Sequence, residues 1–387
     1  MIDFELPEEI KLLRDTVRGF VTSQLQPLEA EVEEKGFIPP LKLAALKERA
    51  RALGLFAMNM PEDVCGGGLS TVAMAIVEEE LGKTSDALIR RSVGQVYEML
   101  LACEGAQREM YLLPTVRGEK ICCMAITEPG AGSDAASISL TARRDGDHFV
   151  LDGTKHFISD GTLADYAIVM ALTDREKRGR GGISLILVDK GTPGFSAARV
   201  QRMMGHRGYD HSELAFQNCR VPASNVLGEV GGGFKLIMGT VNRIRLLHIG
   251  ARSVGMATRL LEMCTIHARE RVQFGKPIGE YQMVQQMLAD MATKIYATRM
   301  MVLNAAWEID QGLDPRDKVS MIKVYAAEML GDVSDKAVQI HGGSGFCKDL
   351  PIERIYRDCR VLRIYDGTSE IHRMLIAKSL LKSGVSA

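Results

Sequence analysis

Residues 166–188 read YAIVMALTDREKRGRGGISLILV. Two short apolar runs, Tyr166–Leu172 and Ile183–Val188, flank the charge-dense stretch Asp174–Gly182. Aliphatic and β-branched runs of this length, separated by a polar, glycine-bearing tip, have the pattern of two strands joined by a solvated hairpin loop. The same texture continues in both directions. Ile121–Ile126, His148–Leu151 and His156–Ser159 lie upstream, and Glu213–Phe216 lies downstream. Asp145-Gly146-Asp147 and Asp152-Gly153 read as tight turns between them. No helical period interrupts the runs between Lys120 and about Leu227, so this segment is expected to be all-β. Without βαβ alternation, a Rossmann sheet is disfavoured.

On both flanks the apolar period becomes helical. After Pro7, Ile10, Leu13, Val17, Phe20 and Val21 share one face, and Glu8 and Glu9 occupy the first turn, where the helix dipole favours negative charge. A second periodic stretch runs from Pro40 to about Leu55. A loop at Pro61-Glu62-Asp63 and Gly66-Gly67-Gly68 follows, and helical patterns resume from Thr71 to about Gly118. Gly231-Gly232-Gly233 closes the β segment. Beyond it, Tyr281–Asp310 carries Val284, Met287, Leu288, Met291 and Ile295 on one face. Gly312-Leu313-Asp314-Pro315 stops that helix, and Lys318 to about Ile340 forms another. Gly342-Gly343-Ser344-Gly345 breaks the chain, and a last helix follows Asp366-Gly367-Thr368. Helices, strands, helices: the helical parts are expected to pack together, with the β-domain forming one wall of a cleft. Cofactor sites favour such boundaries.

The 387 residues suggest two or three domains at ~150 residues each. Lys plus Arg number 48 and Asp plus Glu 49, a balance that argues against a general nucleic-acid binder. No apolar run approaches the ~20 residues needed to span a bilayer. Met1-Ile2-Asp3-Phe4-Glu5 is acidic and lacks the charged and apolar regions of a secretory signal. The eight cysteines form no CxxC pair, which speaks against zinc and suggests reduced thiols in a cytoplasmic setting, with a processed organellar matrix chain as the other possibility. The 21 methionines fall mostly in the helices and read as adaptable core filler.

Five segments carry candidate chemistry. In Ile126-Thr127-Glu128-Pro129-Gly130-Ala131-Gly132-Ser133-Asp134, Gly130 and Gly132 let a ligand approach the backbone, and Thr127 and Ser133 add hydroxyls. The run is not GxGxxG and no helix is expected after it, so a dinucleotide phosphate turn is disfavoured. Lys155-His156-Phe157-Ile158-Ser159 by itself reads as a half-buried strand with Phe157 in the core. Arg269-Glu270-Arg271-Val272-Gln273-Phe274-Gly275 suits either phosphate binding or a helix C-terminus favouring cations. The fourth is Gln339-Ile340-His341-Gly342-Gly343-Ser344-Gly345-Phe346, and the fifth is Tyr365-Asp366-Gly367-Thr368-Ser369-Glu370-Ile371. In the fifth, Thr368 and Glu370 stand where a helix begins, a place that holds anions.

Taken in order and spacing, these segments resemble the acyl-CoA dehydrogenases, FAD-dependent flavoproteins, over essentially the whole chain. The resemblance implies an α+β fold of three domains. These are an N-terminal all-α domain over 1–119, a middle β-barrel or sandwich domain over 120–228 and a C-terminal four-helix bundle over 229–387. It implies that Met124, Thr127, Gly132 and Ser133 line the flavin and its pyrophosphate, with Phe157 and Ser159 beside the isoalloxazine ring. Many members carry Trp and Thr at those last two positions. Arg271, Phe274 and Gln282, with Gln339 through Gly342 and Gly343, would reach the FAD of a neighbouring subunit. Thr368 and Glu370 would bind near its diphosphate, although Gln is common at the latter position. A shared site implies a homo-oligomer, usually a homotetramer. No metal, nucleic acid or membrane is implied.

Asp366 falls where most members carry a catalytic Glu. The resemblance makes it the base that removes the α-proton of an acyl-CoA thioester, the β-hydride passing to flavin N5 and the electrons to an electron-transfer flavoprotein. Burial beside the flavin would raise its pKa towards that of a general base. Read alone, Asp366 is more readily an N-cap of the last helix. Ser133, Asn242, Arg243, Arg245 and Gly367 would contact the substrate, with Arg245 as its anchor; the base amide would polarise the thioester oxygen. Arg90 and Arg91 lie where family helices line the acyl pocket, and an exposed helix face is the expectation for them. His206 and His211 read as surface or loop hydrogen bonders. Two rivals stand beside the dehydrogenase. One is a flavin oxidase resembling the nitroalkane oxidases, which use an Asp base; the other is a non-catalytic FAD- or CoA-binding member.

Overall fold

The computed structural model describes residues 5–94 and 96–383, so the reading of Met1-Ile2-Asp3-Phe4 lies outside the described residues. The N-terminal helices are α1 (Glu8–Phe20), α2 (Glu29–Lys35), α3 (Pro40–Ala52), α4 (Thr71–Leu81), α5 (Asp86–Ser92) and the single turn α6 (Leu113–Val116). The apolar faces of α1 to α5 meet in one core that joins Val17 and Phe20 of α1, Leu46 of α3, Val77 and Leu81 of α4 and Leu88 of α5. The expected stripe on α1 is therefore the buried one.

Eight strands follow: β1 (Cys122–Ala125), β2 (Thr141–Asp145), β3 (His148–Ser159), β4 (Tyr166–Leu172), β5 (Ile183–Asp189), β6 (Phe195–Val200), β7 (His211–Pro222) and β8 (Val226–Leu227). They form one sheet in the order β6-β7-β3-β2-β4-β5-β8, with β1 parallel to β4 off that path. The β4–β5 pair is the antiparallel hairpin read from the sequence, and residues 174–182 form its tip. Every residue of β4 is buried. Ile168 and Met170 face a core shared with the flanking helices, whereas Ala167 and Val169 face one internal to the strands. That inner core collects Phe149 and Leu151 of β3, Ile186 of β5 and Phe216 of β7, so the sheet closes over its own residues.

Three readings of this segment change. Asp152-Gly153 is no turn; β3 runs straight through it for 12 residues. Gly153 has φ +143, and a Cβ there would lie 2.8 Å from the Leu140 Cα, so the glycine marks a register slip with close backbone approach. β2 and β6 escaped the apolar pattern, and β6 is an edge strand with exposed residues from Ser196 to Val200. Finally, a single 3₁₀ turn, Ala135–Ser137, follows the glycine loop.

The C-terminal part comprises α7 (Gly233–Ile244), α8 (Arg252–Glu270), α9 (Gln282–Asp310), α10 (Arg316–His341), α11 (Gly343–Phe346), α12 (Ile352–Cys359) and α13 (Ser369–Ser383). A two-stranded hairpin, β9 (Val272–Gln273) and β10 (Lys276–Pro277), separates α8 from α9. Helices α8, α9, α10 and α13 form the bundle, with α10 packed against each of the other three. On α9, Met291 and Ile295 are buried as the sequence pattern required. The glycine run after α10 does more than break the chain, since α11 lies within it.

The two helical parts are joined where α4 crosses α8. A Cβ on Gly255 would sit 1.9 Å from the Glu79 carbonyl oxygen, and one on Gly82 2.4 Å from that of Arg252, so the backbones touch. Arg252 crosses the same seam to Glu78, Nε to Oε2 at 2.5 Å. Asp310, the last residue of α9, caps α4 by accepting hydrogen bonds from the Thr71 and Val72 amides.

Candidate active site

Between α7 and α8 the helix continues without a break through a π-helical stretch, Arg245–Ala251. Such widened turns are frequent at functional sites. Here the stretch presents Arg245 and His248, both half-buried, from a backbone otherwise locked in the core.

Arg245 grips the turn that precedes α13. Its Nε donates to the Asp366 carbonyl oxygen at 2.8 Å, and its Nη1 donates to Asn242 Oδ1 at 2.7 Å. His372 Nε2 donates to the same carbonyl at 3.1 Å. Burial, with Arg245 nearby, pushes the His372 pKa down to about 4, so the ring is neutral and its proton sits on Nε2. Asp366 itself has φ +53 and Gly367 φ +89. A Cβ at Gly367 would lie 2.8 Å from His372 Nε2, which explains the glycine. The Asp366 carboxyl is raised to about 6 by burial, against the opposing pull of Arg245 and Lys323. Thr368, not Asp366, caps α13, its Oγ1 accepting from the Ile371 amide at 3.2 Å. Arg245 thus clamps the Asp366 turn through Nε and reaches Asn242 through Nη1.

Lys323 was not legible in the sequence. It stands mid-α10, is 0% exposed, and its Nζ has no hydrogen-bond partner among the described residues. Burial pushes its pKa down to about 8 while Asp366 draws it up. Only the fold brings this amine to the acid.

The glycine loop and the end of β3 form a second group. The His156 amide donates to the Thr127 carbonyl at 2.7 Å, tying the loop to the strand beside Phe157. Glu128 is the keystone of the loop. Its carboxylate accepts from the Ser139 and Leu140 amides and from Lys155 Nζ, at 2.7, 3.0 and 2.9 Å. Lys155 is fully buried. Gly130 and Gly132 face open space, and Gly132 and Ser133 are exposed, while Met124 and Thr127 are half-buried. Phe157 is not core. A register slip between Lys155 and Ile158 turns it out at φ +58, leaving the ring 52% exposed.

A chain of contacts joins this group to Asp366. Asp160, next to Ser159, receives Arg90 Nε at 2.5 Å and also Arg91 Nη2. Both guanidiniums are buried, which overturns the expected exposed helix face. Arg90 lies over the Tyr209 ring at 5.3 Å, and the Tyr209 hydroxyl meets His206 Nδ1 at 2.9 Å. His206 in turn packs edge-on to Tyr365 at 6.5 Å. His211 is buried rather than on the surface, and burial pushes its pKa down to about 4. Asn242, Arg243 and Gly367 are half-buried in the same region, and Arg243 lines a cavity with Asn59 and Glu98.

The remaining candidates gather elsewhere. His267 and His341 stack at 4.4 Å, which brings the β9–β10 turn, with Arg271 and Phe274, beside the end of α10, with Gln339, Gly342 and Gly343. All of these and Gln282 are exposed, Phe274 at 95%. Among the described residues, no hydrogen bond, ion pair or ring contact links this surface to the Asp366 turn. Glu370 is exposed on the first turn of α13, its carboxyl held low by its own backbone N–H and by Thr368.

Comparison with known proteins matches residues 7–119 to the family description "Acyl-CoA dehydrogenase, N-terminal domain", 123–219 to the middle domain and 231–381 to the C-terminal domain. The chain is similar to acryloyl-CoA reductase (NADH) of Anaerotignum propionicum, 38% identical over 98% of this chain and 96% of that one. It is equally similar to the mitochondrial short-chain specific acyl-CoA dehydrogenase of Homo sapiens, 38% identical over 98% and 92%. Among solved structures, butyryl-CoA dehydrogenase from Megasphaera elsdenii superposes with a TM-score of 0.89 at 32% identity, covering 98% of this chain and 100% of that one. The structure of PigA with FAD and proline superposes at 0.90 with 27% identity, covering 99% and 100%.

Proposed function

The chain belongs to the acyl-CoA dehydrogenase family, and from that premise we propose that it dehydrogenates an acyl-CoA thioester to the α,β-enoyl-CoA with Asp366 as the base. The observation that carries this reading is the Asp366 turn. Two donors hold its carbonyl, and its carboxyl lies near 6, low enough to be ionised at neutral pH and high enough to accept a proton from carbon.

The residues present suit FAD. Phe157 offers an exposed ring on a backbone that slips register to present it, beside a loop whose glycines leave the main chain open. Met124, Thr127, Gly132, Ser133, Phe157 and Ser159 would hold the flavin and pyrophosphate, with Thr368 and Glu370 near the diphosphate. Arg271, Phe274, Gln282, Gln339, Gly342 and Gly343 would serve the FAD of another subunit in a homotetramer. When bound, FAD supplies the acceptor for the hydride that leaves Cβ. Asp366 takes the α-proton, the electron pair of that Cα–H bond becomes the new double bond, and the base amide polarises the thioester oxygen. Asn242, Arg243 and Ser133 contact the substrate, whereas Arg245 acts by fixing the base. We further propose an electron-transfer flavoprotein as the electron acceptor.

Anaerobic titration of the holoenzyme tests the reading. Bleaching of the flavin by acyl-CoA thioesters supports it. Bleaching by nitroalkanes alone would move the protein to the oxidase class, and bound FAD that no thioester reduces would make it a non-catalytic member.

A further inference from the structure

A cavity between α3, α5 and the residues leading into β1 includes none of the side chains assigned to flavin or substrate. Four basic residues line it: Lys47 from α3, Arg90 and Arg91 from α5, and Lys120 just before β1. Asp160 is the single carboxylate among its lining residues, and the two arginines already share it. Cys122 in the same wall is no second anion, because burial raises its thiol to about 12. The rest of the wall is largely apolar, with Phe56, Gly94 and Val96. A cleft of one charge sign with low-dielectric walls focuses its field and concentrates counter-ions.

The four cations differ in what they have left to give. Arg90 is committed: its Nε meets Asp160, its Nη2 reaches the Tyr97 hydroxyl at 3.5 Å, and it lies over the Tyr209 ring. Arg91 holds Asp160 through Nη2, and its Nε and Nη1 have no bond among the described residues. Lys120 donates to the Met110 carbonyl at 2.9 Å, a partner without charge. Lys47 is half-buried, yet it has neither a hydrogen bond nor an ion pair among the described residues. Burial, then the charges of Arg51 and Arg91, pull its pKa down. Arg51 itself is occupied outside the lining, donating to the Arg117 carbonyl at 2.8 Å and covering the Phe56 ring at 4.7 Å. More than one positive charge in the cavity is therefore unanswered.

We propose that this cavity binds phosphate, as the free ion or as the head of a monoester, between Lys47 and Arg91 with Lys120 at its edge. A dianion answers a surplus of this size, whereas chloride or one carboxylate would answer only part of it. The site stands apart from the Asp366 chemistry and does not rest on the dehydrogenase reading.

The test is calorimetric titration of the FAD-loaded full chain with orthophosphate, at an ionic strength held constant with chloride and with excess CoA present to cover any thioester site. One saturable site per chain is expected, together with a Tm that rises with phosphate by mass action. Lys47→Met should weaken phosphate binding about tenfold or more. Lys235→Met, at an exposed lysine on α7, should leave it unchanged. Lys47→Glu supplies the missing carboxylate from the chain itself, so it should raise the phosphate-free Tm and abolish the response to phosphate. Phenyl phosphate that binds as orthophosphate does would identify a monoester as the source, and its exclusion would identify the free ion; either supports the site. Absence of saturable binding, an equal response to chloride, losses as large in Lys235→Met as in Lys47→Met, or a Lys47→Glu chain that still responds to phosphate overturns it.

Discussion

At the scale of single residues, Asp366 occupies a left-handed backbone that most side chains avoid, at φ +53. Asn tolerates that conformation as well as Asp does. Asp366→Asn is thus expected to fold and keep FAD while losing thioester-driven bleaching by at least a hundredfold; near-parental turnover would remove Asp366 from the base role. The carboxyl, raised to about 6, must be ionised to act, so kcat/KM should rise as pH increases through about 6 and fall below it. Lys323 faces this acid with Arg245 from the helical side, while Glu370 and His372 stand on α13. Removing its positive charge by Lys323→Met should move the acid limb to higher pH, and an unchanged limb would show that Lys323 only packs. The acid was legible in the sequence because its motif is contiguous. The lysine and the histidine clamp were not, because position 323 sits in an ordinary helical pattern and acquires meaning only when α10 packs under the turn. Arg90 and Arg91 misled for the converse reason: charge predicts exposure until a buried carboxylate, Asp160, answers it.

At the scale of elements, glycine carried two opposite meanings that local sequence does not separate. Asp152-Gly153 and Asp145-Gly146 look alike, yet the first lies inside β3 and the second joins two strands. What distinguishes them is Leu140, which approaches Gly153 from a distant part of the chain. The long helices and the central hairpin were legible because their patterns are periodic and self-contained; edge strand β6 was not, because solvent rather than a core receives its side chains. The α4–α8 crossing allows a direct measurement of one such meaning. Gly255 meets backbone at 1.9 Å, whereas Gly239 on α7 has nothing within 4 Å. Overpacking against rigid neighbours costs about 1–3 kcal/mol or more. Relief of glycine's backbone entropy in an open helix gains about 0.5–1 kcal/mol. Gly255→Ala should lower Tm by several degrees, and Gly239→Ala should leave it equal or higher. Equal responses from both would mean that the helices do not meet as closely as the crossing requires.

At the scale of the whole molecule, the candidate cofactor residues fall on two separate surfaces of one chain. Met124 through Ser159 lie with the Asp366 turn through a continuous run of contacts, whereas Arg271, Phe274 and Gln339 through Gly343 lie at the far side of the His267–His341 stack. A single extended ligand that uses both sets needs a second copy of the chain. Phe274 is placed to hold such a copy: its ring is 95% exposed on a turn with φ +51 and meets Tyr281 edge-on at 6.5 Å. Burying a phenyl side chain is worth about 1.5–3 kcal/mol, and a symmetric contact counts it once per subunit. Phe274→Ser is therefore expected to weaken self-association and FAD retention together, read by sedimentation velocity and by the flavin-to-protein absorbance ratio. The coupling is the diagnostic part, because a residue serving only assembly would lose oligomer at constant flavin content under saturating FAD. A residue serving only the cofactor would lose flavin from an intact oligomer. A variant that stays both assembled and fully loaded would place the FAD contacts within one chain and leave the ring only its edge contact with Tyr281.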